Sequence, residues 1–486
     1  MKKKGILAVD VGSSSIRATV YIKDEGVNKQ LAVSNKGEAR FSAEALWGRL
    51  ATLIKSLTKD EKNINYEAVG VSAFLGWVVV DQFGVPVEKA WSWMAHGNEE
   101  EVKKFEMFLP EDAPQIIGRK INEELGVFRW GRILRQAEKN YMVLSLKDYL
   151  NFKLTGVMKM DRTHASYTGL FSIKQKKWDS RLLKAFRIDA SSLPPLSYGY
   201  EEVGNITPEI ALDLGLQLKT KVIAGGPDGT LAILGGGGTR AGKTIEVMGT
   251  TDVLFHLSDN KDTEKIVEKG LVRNCYIFPD LYAIGGPTGM TGGTLTWLME
   301  NWNWTFESKS FQQLLHSWAS ITPAEEGLFV IPFLTGARVP DWSPAIRGSI
   351  VGLTPSHTFK DIYKATVEGI AFGTKDIFEQ LESITGVIDT LIAIGGGARN
   401  ESFLLTRAAS IGCRIVIPKE IEASTFGVIA LAGTLVHWFD DIHSAVASLN
   451  PISGEIKTSA EEIEQYKRGY KQYKQLLTIL NTWYNR

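Results

Sequence analysis

Cysteine is nearly absent. The 486-residue chain carries two, Cys275 and Cys413, far apart and in no metal-ligand spacing. That excludes a disulfide-stapled scaffold and a cysteine-rich metal domain, and reads as two core thiols in a reducing compartment. Histidine is sparse as well: seven copies, scattered, none forming a His-x-x-x-His pair, so a zinc enzyme of that type is not expected. No run approaches the roughly 18 apolar residues of a membrane-spanning helix. Met1-Lys2-Lys3-Lys4 is followed by an apolar run of only Ile6–Val9 before Asp10, too short for a secretion signal. Nor is there an excess of either charge. Lys+Arg and Asp+Glu both number 55, giving net zero, which offers no electrostatic footprint for nucleic acid or an anionic membrane. These absences point to a cytoplasmic protein with a small-molecule partner, with no nucleic acid and no membrane among its partners. A homodimer is compatible with them.

Glycine, by contrast, is plentiful, with 47 copies, and it is placed with a pattern. The length exceeds the prior of about 150 residues per domain several-fold, so two or more domains are expected. Strand-like runs such as Ala68–Ser72, Trp77–Asp81, Lys221–Gly226 and Leu391–Ile394 alternate with helical spacing at Ala43–Leu57, Glu99–Phe108, Phe128–Tyr141, Leu144–Thr155, Thr358–Glu382, Glu401–Ser410 and Thr425–Leu435. Ala460–Trp483 reads as a charged amphipathic helix. The class is α/β. Glycines crowd residues 225–249, and a boundary is expected there, dividing the chain into 1–244 and 245–486. Each half opens with a strand pair and a glycine turn carrying Asp, Ser or Thr.

The first of these turns is the most informative segment. Ile6–Val9 ends in Asp10; Val11-Gly12-Ser13-Ser14-Ser15 follows, then Arg17 and a second apolar run, Ala18–Tyr21. This reads as a β-hairpin with a polar tip. Gly12 lets the backbone approach a ligand closely, and the N–H groups and hydroxyls of Ser13–Ser15 suit phosphate oxygens. A carboxylate such as Asp10 suits a Mg²⁺ ion carrying its waters. An ordinary hairpin turn has the same composition.

Three further turns carry chemistry. Gly249-Thr250-Thr251 ends an apolar strand in glycine and hydroxyls, like the first tip. Gly225-Gly226-Pro227-Asp228 places a carboxylate past a buried strand at the start of an apolar helix, where it can take a proton from a substrate hydroxyl or serve as a helix cap. Gly395-Gly396-Gly397-Ala398-Arg399-Asn400 offers side-chain-free backbone for a nucleotide base, though tight packing also asks for glycine there. Gly237-Gly238-Thr239-Arg240-Ala241-Gly242-Lys243-Thr244 matches the P-loop pattern literally, yet a helical stretch precedes it and a strand follows. A P-loop needs the reverse.

In order along the chain, these motifs resemble the FGGY carbohydrate kinases. The resemblance rests on Asp10-x-Gly12-Ser13-Ser14-Ser15-x-Arg17, on Lys147-Asp148-Tyr149 with Thr155-Gly156, and on Asp161-x4-Ser166 with Thr168-Gly169-Leu170. It continues through Gly225-Gly226-x-Asp228, Gly249-Thr250-Thr251, Gly352-Leu353-x3-His357, Ala365-x2-Glu368-Gly369, Gly395–Asn400 and Ser424-x2-Gly427. It implies a two-domain actin-like ATPase (ribonuclease H-like) fold with an interdomain cleft. It implies ATP and Mg²⁺ as cofactors and phosphorylation of a hydroxyl on a small sugar, sugar acid or polyol. By the same resemblance Asp228 is the general base and Asp10 the metal residue. Gly12, Ser13, Ser14, Ser15, Arg17, Gly249, Thr250 and Thr251 bind phosphate. Gly395, Gly396, Ala398 and Asn400 bind the nucleotide, and Trp93, His96 and Asp228 bind the acceptor. Residues 245–486 form the nucleotide-binding domain, with the final helix free to pack back on the N-terminal one.

The acceptor side departs from the family pattern. In Trp91-Ser92-Trp93-Met94-Ala95-His96, Ala95 stands where the family carries Asp. The preceding strand ends Ser72-Ala73-Phe74-Leu75-Gly76-Trp77 without the usual polar group, and the family's Gly-Glu-Arg is Gly336-Ala337-Arg338. An unusual or less polar acceptor is one reading, with His96 or Asn98 contributing. A nucleotide-binding regulatory relative that has lost its sugar is another. An actin-like or Hsp70-like ATPase with a protein partner is a third.

Overall fold

The strand β1 (Lys3–Val11) runs inside a six-stranded sheet, and its packing explains its unbroken apolar sequence. Leu7, Val9 and Val11 face one core, while Ile6 and Ala8 face another. A strand covered on both sides needs hydrophobic residues at every position rather than alternate ones. The computed structural model in which this is seen describes residues 2–59, 61, 63–136, 140–302 and 327–484.

β1 turns back into β2 (Ser15–Ile22) and β2 into β3 (Gly26–Ser34), both antiparallel. On the other side of β1 lies β4 (Ile64–Ala73), parallel. β5 (Glu202–Asn205) is the antiparallel edge, and β6 (Lys221–Pro227) sits parallel to β4. The order is β5-β6-β4-β1-β2-β3. The helix Ala43–Thr58 covers the Leu7 face. Ser42 caps it by accepting the Ala45 N–H, and its apolar stripe includes Leu46, Leu50, Ile54 and Leu57. The helix Leu146–Thr155 joins it there, capped by Ser145.

The second sheet has seven strands: β7 (Thr244–Val247), β8 (Thr251–Ser258), β9 (Val272–Cys275), β10 (Tyr282–Met290), β11 (Thr390–Ile394), β12 (Arg414–Pro418) and β13 (Ile452–Ile456). Their order is β9-β10-β8-β7-β11-β12-β13. β7 and β1 occupy equivalent places. Each has an antiparallel hairpin partner with a third antiparallel strand beyond it, and two parallel strands on its other side. The two halves expected from the glycine turns therefore share one topology. The segment Gly237–Lys243 lies between the helix Asp228–Gly235 and β7, the inverse of a P-loop.

The halves are joined by helices. Ser424–Leu435, from late in the chain, packs on the Ile6 and Ala8 face of the first sheet beside Asp228–Gly235. The final helix, Ala460–Tyr484, for which packing back on the N-terminal domain was left open, packs within the C-terminal half. Its Tyr466, Tyr470, Tyr473 and Leu477 pack with Phe329, Ile331, Phe372 and Ala409, because its aromatic stripe matches the apolar face left by the helices Phe359–Thr385 and Glu401–Ile411.

Two other expectations shift. Leu144 and Ser145 belong to a short strand, Met142–Ser145, paired with Gly76–Val80, so the helix starts at Leu146. The helix expected at Phe128–Tyr141 is seen over Val127–Gln136; residues 137–139 lie outside the described residues. Both cysteines are free thiols, with Cys275 buried and Cys413 partly so. Burial pushes each up to about 12. Among the described residues no helix is long and apolar enough to cross a membrane.

Candidate active site

The carboxyl ends of β1, β4 and β6 converge. Asp10 is in register with Ser72 on one side and Arg17 on the other, and Ser72 is in register with Gly226. Asp228 follows two residues later. Asp10 Oδ1 accepts the Ser72 hydroxyl at 2.5 Å, and Arg17 Nη1 stands 3.9 Å from Oδ2. Burial raises the Asp10 carboxyl above its usual range against the pull of hydrogen bonds from Ser72 and Ser424 and the charge of Arg17.

Asp228 is the first residue of its helix. Its Oδ1 accepts the Gly229 N–H at 2.7 Å, and Pro227, not Asp228, takes the cap position. Burial, and next the charge of Asp10, push the Asp228 carboxyl up to about 6. The structure thus brings Asp10 and Asp228 within electrostatic reach of one another at one sheet end.

Behind them lies a fully buried polar cluster. Lys147 Nζ binds the Asp148 carboxylate, Asp161 Oδ2 at 2.9 Å and the Ala224 carbonyl at 2.7 Å. His164 Nδ1 lies 2.6 Å from Asp161 Oδ2. Asp148, Asp161 and His164 have the spacing of a metal site, but the Lys147 ammonium already sits on both carboxylates. Burial opposes the charged form of Lys147, yet the two aspartates outweigh it and hold the group above its usual range. The motif residues Lys147, Asp148 and Asp161 are therefore a support beneath Ala224-Gly225 rather than ligands.

The first tip is closed by Gly12 N–H to the Ser15 carbonyl at 2.9 Å, and Asn35 binds the Gly12 and Ser14 carbonyls. Ser14 is exposed, and Gly12, Ser13, Ser15 and Arg17 are partly so. Arg17 also reaches Glu422 from the other half at 3.5 Å, and Glu422 reaches Arg399.

On the second sheet, Gly249 and Thr250 are exposed at the β7–β8 turn. Gly249 N–H donates to Asp252 Oδ1 at 3.2 Å, and the Thr250 carbonyl accepts the N–H groups of Thr291 and Gly293. The Gly395 turn packs against this one: Gly397 N–H donates to the Met248 carbonyl at 3.0 Å. Gly395 has φ +86°, and a Cβ there would meet the Met248 backbone. Gly396 faces open space. Ala398 is buried in the core, and Asn400 spends its side chain capping Glu401–Ile411 through Ser402 and Phe403. A pocket opens between these turns, lined by Gly249, Thr291, Gly292, Gly397, Phe403 and Arg407 among others. Thr291, Gly292 and Arg407 lay outside the sequence reading; for the first two, the Thr291-Gly292-Gly293 turn opening the helix Gly292–Asn301 was the available signal.

In the segment expected to meet the acceptor, Trp93 is partly buried against the first core, and Ala95 is buried. Arg129 holds this segment by donating to the Trp93 carbonyl at 3.1 Å and the Ala95 carbonyl at 3.3 Å. His96 is 69% exposed at its side chain and turns to Glu123 at 3.1 Å. It is not drawn to Asp228. Tyr167, within electrostatic reach of Asp228, was not singled out from the sequence, and neither were Arg119 and Glu124.

Family models match along most of the chain. The N-terminal domain of the FGGY family of carbohydrate kinases matches residues 5–235, and the C-terminal domain matches 246–436. The chain belongs to the FGGY family of carbohydrate kinases. A xylulose kinase of Bacillus subtilis is 30% identical over 346 residues, covering 70% of this chain and 67% of that protein. A xylulose kinase of Staphylococcus epidermidis is 27% identical over 509 residues, covering 99% and 100%. The crystal structure of a gluconate kinase from Lactobacillus acidophilus superposes with a TM-score of 0.89 at 20% identity, over 99% of both chains. This FGGY protein has the two-domain actin-like ATPase fold, and as a carbohydrate kinase it is a phosphotransferase that uses ATP.

Proposed function

We propose that this FGGY kinase transfers the γ-phosphoryl group of Mg-ATP to one hydroxyl of a small sugar, sugar acid or polyol, with Asp228 as general base. The observation that carries the reading is the pairing of Asp228 with Asp10 at the converging strand ends. Asp228, pushed up to about 6, is a competent base near neutral pH. Its carboxylate takes the hydroxyl proton as the acceptor oxygen bonds to the γ-phosphorus. The bond from that phosphorus to the bridging oxygen breaks, and ADP leaves with the electron pair.

Asp10 fits a hydrated Mg²⁺. Oδ1 is committed to Ser72, Oδ2 stands 3.9 Å from Arg17, and two mutually repelling carboxyls favour a cation. That ion, when bound, neutralises phosphate charge. The exposed N–H groups of Gly12–Ser15 and Gly249–Thr251, with Arg17, would hold the phosphates. Gly395, Gly396, Ala398 and Asn400 would shape the adenosine side, Ala398 and Asn400 through backbone and packing since their side chains are engaged. Trp93 and His96 would flank the acceptor. The division at 244/245 follows from placing one phosphate turn in each half.

A regulatory, nucleotide-binding relative is the second reading. It is favoured by Ala95, which brings no carboxylate, and by His96, which is turned to Glu123. ADP release with Mg-ATP across ketoses, aldonates and polyols, with Asp228→Asn alongside, separates the two. One acceptor raising the rate severalfold, with the effect lost in the variant, supports the kinase. Uniform slow hydrolysis supports the regulator.

A further inference from the structure

Arg119 is an anomaly where the two halves of the chain meet. It is 4% exposed, yet among the described residues no carboxylate stands within ion-pair distance of its guanidinium. Its drawn partners are neutral. One nitrogen binds the Asn274 amide oxygen, and the guanidinium lies 4.6 Å from the centre of the Tyr167 ring. Its Nε has no partner at all. A buried charge is ordinarily paired, because leaving it unpaired costs several kcal/mol.

Arg338 stands close by. Its Nη2 binds Glu124 Oε2 at 2.6 Å, crossing from one half of the chain to the other, and its Nε is also buried without a partner. The third guanidinium, Arg129, is spent on the carbonyls of Trp93, Ala95 and Glu124. Glu124 is thus surrounded by Arg338, Arg119 and Arg129, and their charges hold its carboxyl below the usual range despite burial. Glu123 is taken by His96 and by the N–H groups of Gly97 and Asn98. The cluster keeps an unspent positive charge and two unspent donors. Tyr167 links it to the reaction centre: its hydroxyl accepts from Asn274 at 2.9 Å, and it lies within electrostatic reach of Arg119 and Arg338 on one side and Asp228 on the other.

Resting on the kinase reading above, we infer that the acceptor is a sugar acid whose carboxylate is bound by Arg119 and Arg338 while its reacting hydroxyl faces Asp228. A carboxylate supplies the missing counter-charge and accepts from both free Nε groups. A neutral ketose or polyol leaves the excess positive charge of the cluster without a counter-charge. The less polar acceptor expected from Ala95 and Phe74-Leu75 does not suit a site lined by these guanidiniums.

The test compares acceptors that differ only at one carbon: D-gluconate against D-glucitol, and D-xylonate against xylitol, each with Mg-ATP. Charge-assisted hydrogen bonds predict at least a tenfold higher kcat/KM, as an order-of-magnitude figure, for the acids. Arg338→Gln should abolish that preference. Because Arg119 is buried, Arg119→Lys, which keeps the charge, and Arg119→Gln are compared by the acid-to-polyol ratio, which a purely structural role would not move. Melting of the nucleotide-free protein gives a second readout: D-gluconate should raise the wild-type Tm more than D-glucitol, and not that of Arg338→Gln. Equal use of acid and polyol, or a preference for the acid that survives both Gln variants, overturns the inference while leaving the kinase intact. No acceptor raising ADP release at all overturns the kinase reading and this inference with it.

Discussion

A Cβ atom on Gly427 would stand 2.1 Å from the carbonyl oxygen of Leu231. The helices Asp228–Gly235 and Ser424–Leu435 therefore meet backbone to backbone, and a Cβ on Gly235 would likewise stand 2.0 Å from the Ala423 carbonyl. The first helix begins with Asp228, and the second begins with Ser424, which hydrogen-bonds Asp10. Their close crossing sets where the two carboxylates sit.

Gly427→Ala should accordingly destabilise the protein by about 1–3 kcal/mol or more, since overpacking forces backbone to shift. It should also lower activity by moving Asp228 relative to Asp10. Gly48→Ala is the control. It lies mid-helix with open space where the Cβ would go, and should stabilise by roughly 0.5–1 kcal/mol. Urea midpoints of both variants check this, and a neutral Gly427→Ala would mean the helices can part without cost.

Asp228→Asn separates activity from stability. A base must be ionised, so the acid limb of kcat/KM should rise through about pH 6, where the Asp228 carboxyl titrates, and the variant should lose about 10²–10⁴ in rate. Stability should move the opposite way. The folded carboxyl is raised from 3.8 to about 6, so its ionisation opposes folding as pH climbs through that window. At pH 7 the amide variant should be more stable by on the order of 1–3 kcal/mol, with the difference gone below about pH 4. Thermal melts across pH 3–8 give the sign directly.

Much of this was legible beforehand, for local reasons. The β1–β2 tip, the helices Ala43–Thr58 and Phe359–Thr385, and the Gly249 and Gly395 turns are written in periods, caps and glycines that sit next to one another in sequence. What was not legible depends on distance along the chain. Arg119 meets Asn274, Glu124 meets Arg338, and Arg407 meets Asp252 and Glu246, and no local pattern announces such pairs. The partner of the final helix was left open for the same reason. Its tyrosine stripe marks it as buried without naming its partner.

The Arg407 site beneath the Gly249 turn makes a further prediction. Arg407 Nη2 binds Asp252 Oδ2 at 2.8 Å and Glu246 Oε1 at 3.2 Å. Burial raises both carboxyls, and Glu246 reaches about 7 even with Arg407 beside it. Arg407→Met would leave two buried carboxylates facing each other and should cost about 3–5 kcal/mol. Asp252→Asn is milder. It weakens the hold on the Gly249 N–H, and should raise the KM for ATP with less effect on kcat. An unchanged KM would detach Asp252 from ATP binding.

The Lys147 cluster decides between a buried ion network and a metal site. Lys147→Met would strand Asp148 and Asp161 without their cation, at a cost of about 3–5 kcal/mol. The pH dependence is two-sided. Asp161 is held well below the usual carboxylate range by Lys147 and His164 despite burial, so its contribution is present above about pH 4 and lost as pH falls further. Lys147 is held above its ordinary 10.5, so its contribution persists at neutral pH and is lost only above that value. If the ammonium is the cation here, EDTA should leave the Tm of the nucleotide-free protein unchanged. A drop on chelation, restored by added metal, would instead place an ion among Asp148, Asp161 and His164 and displace Lys147 from that role.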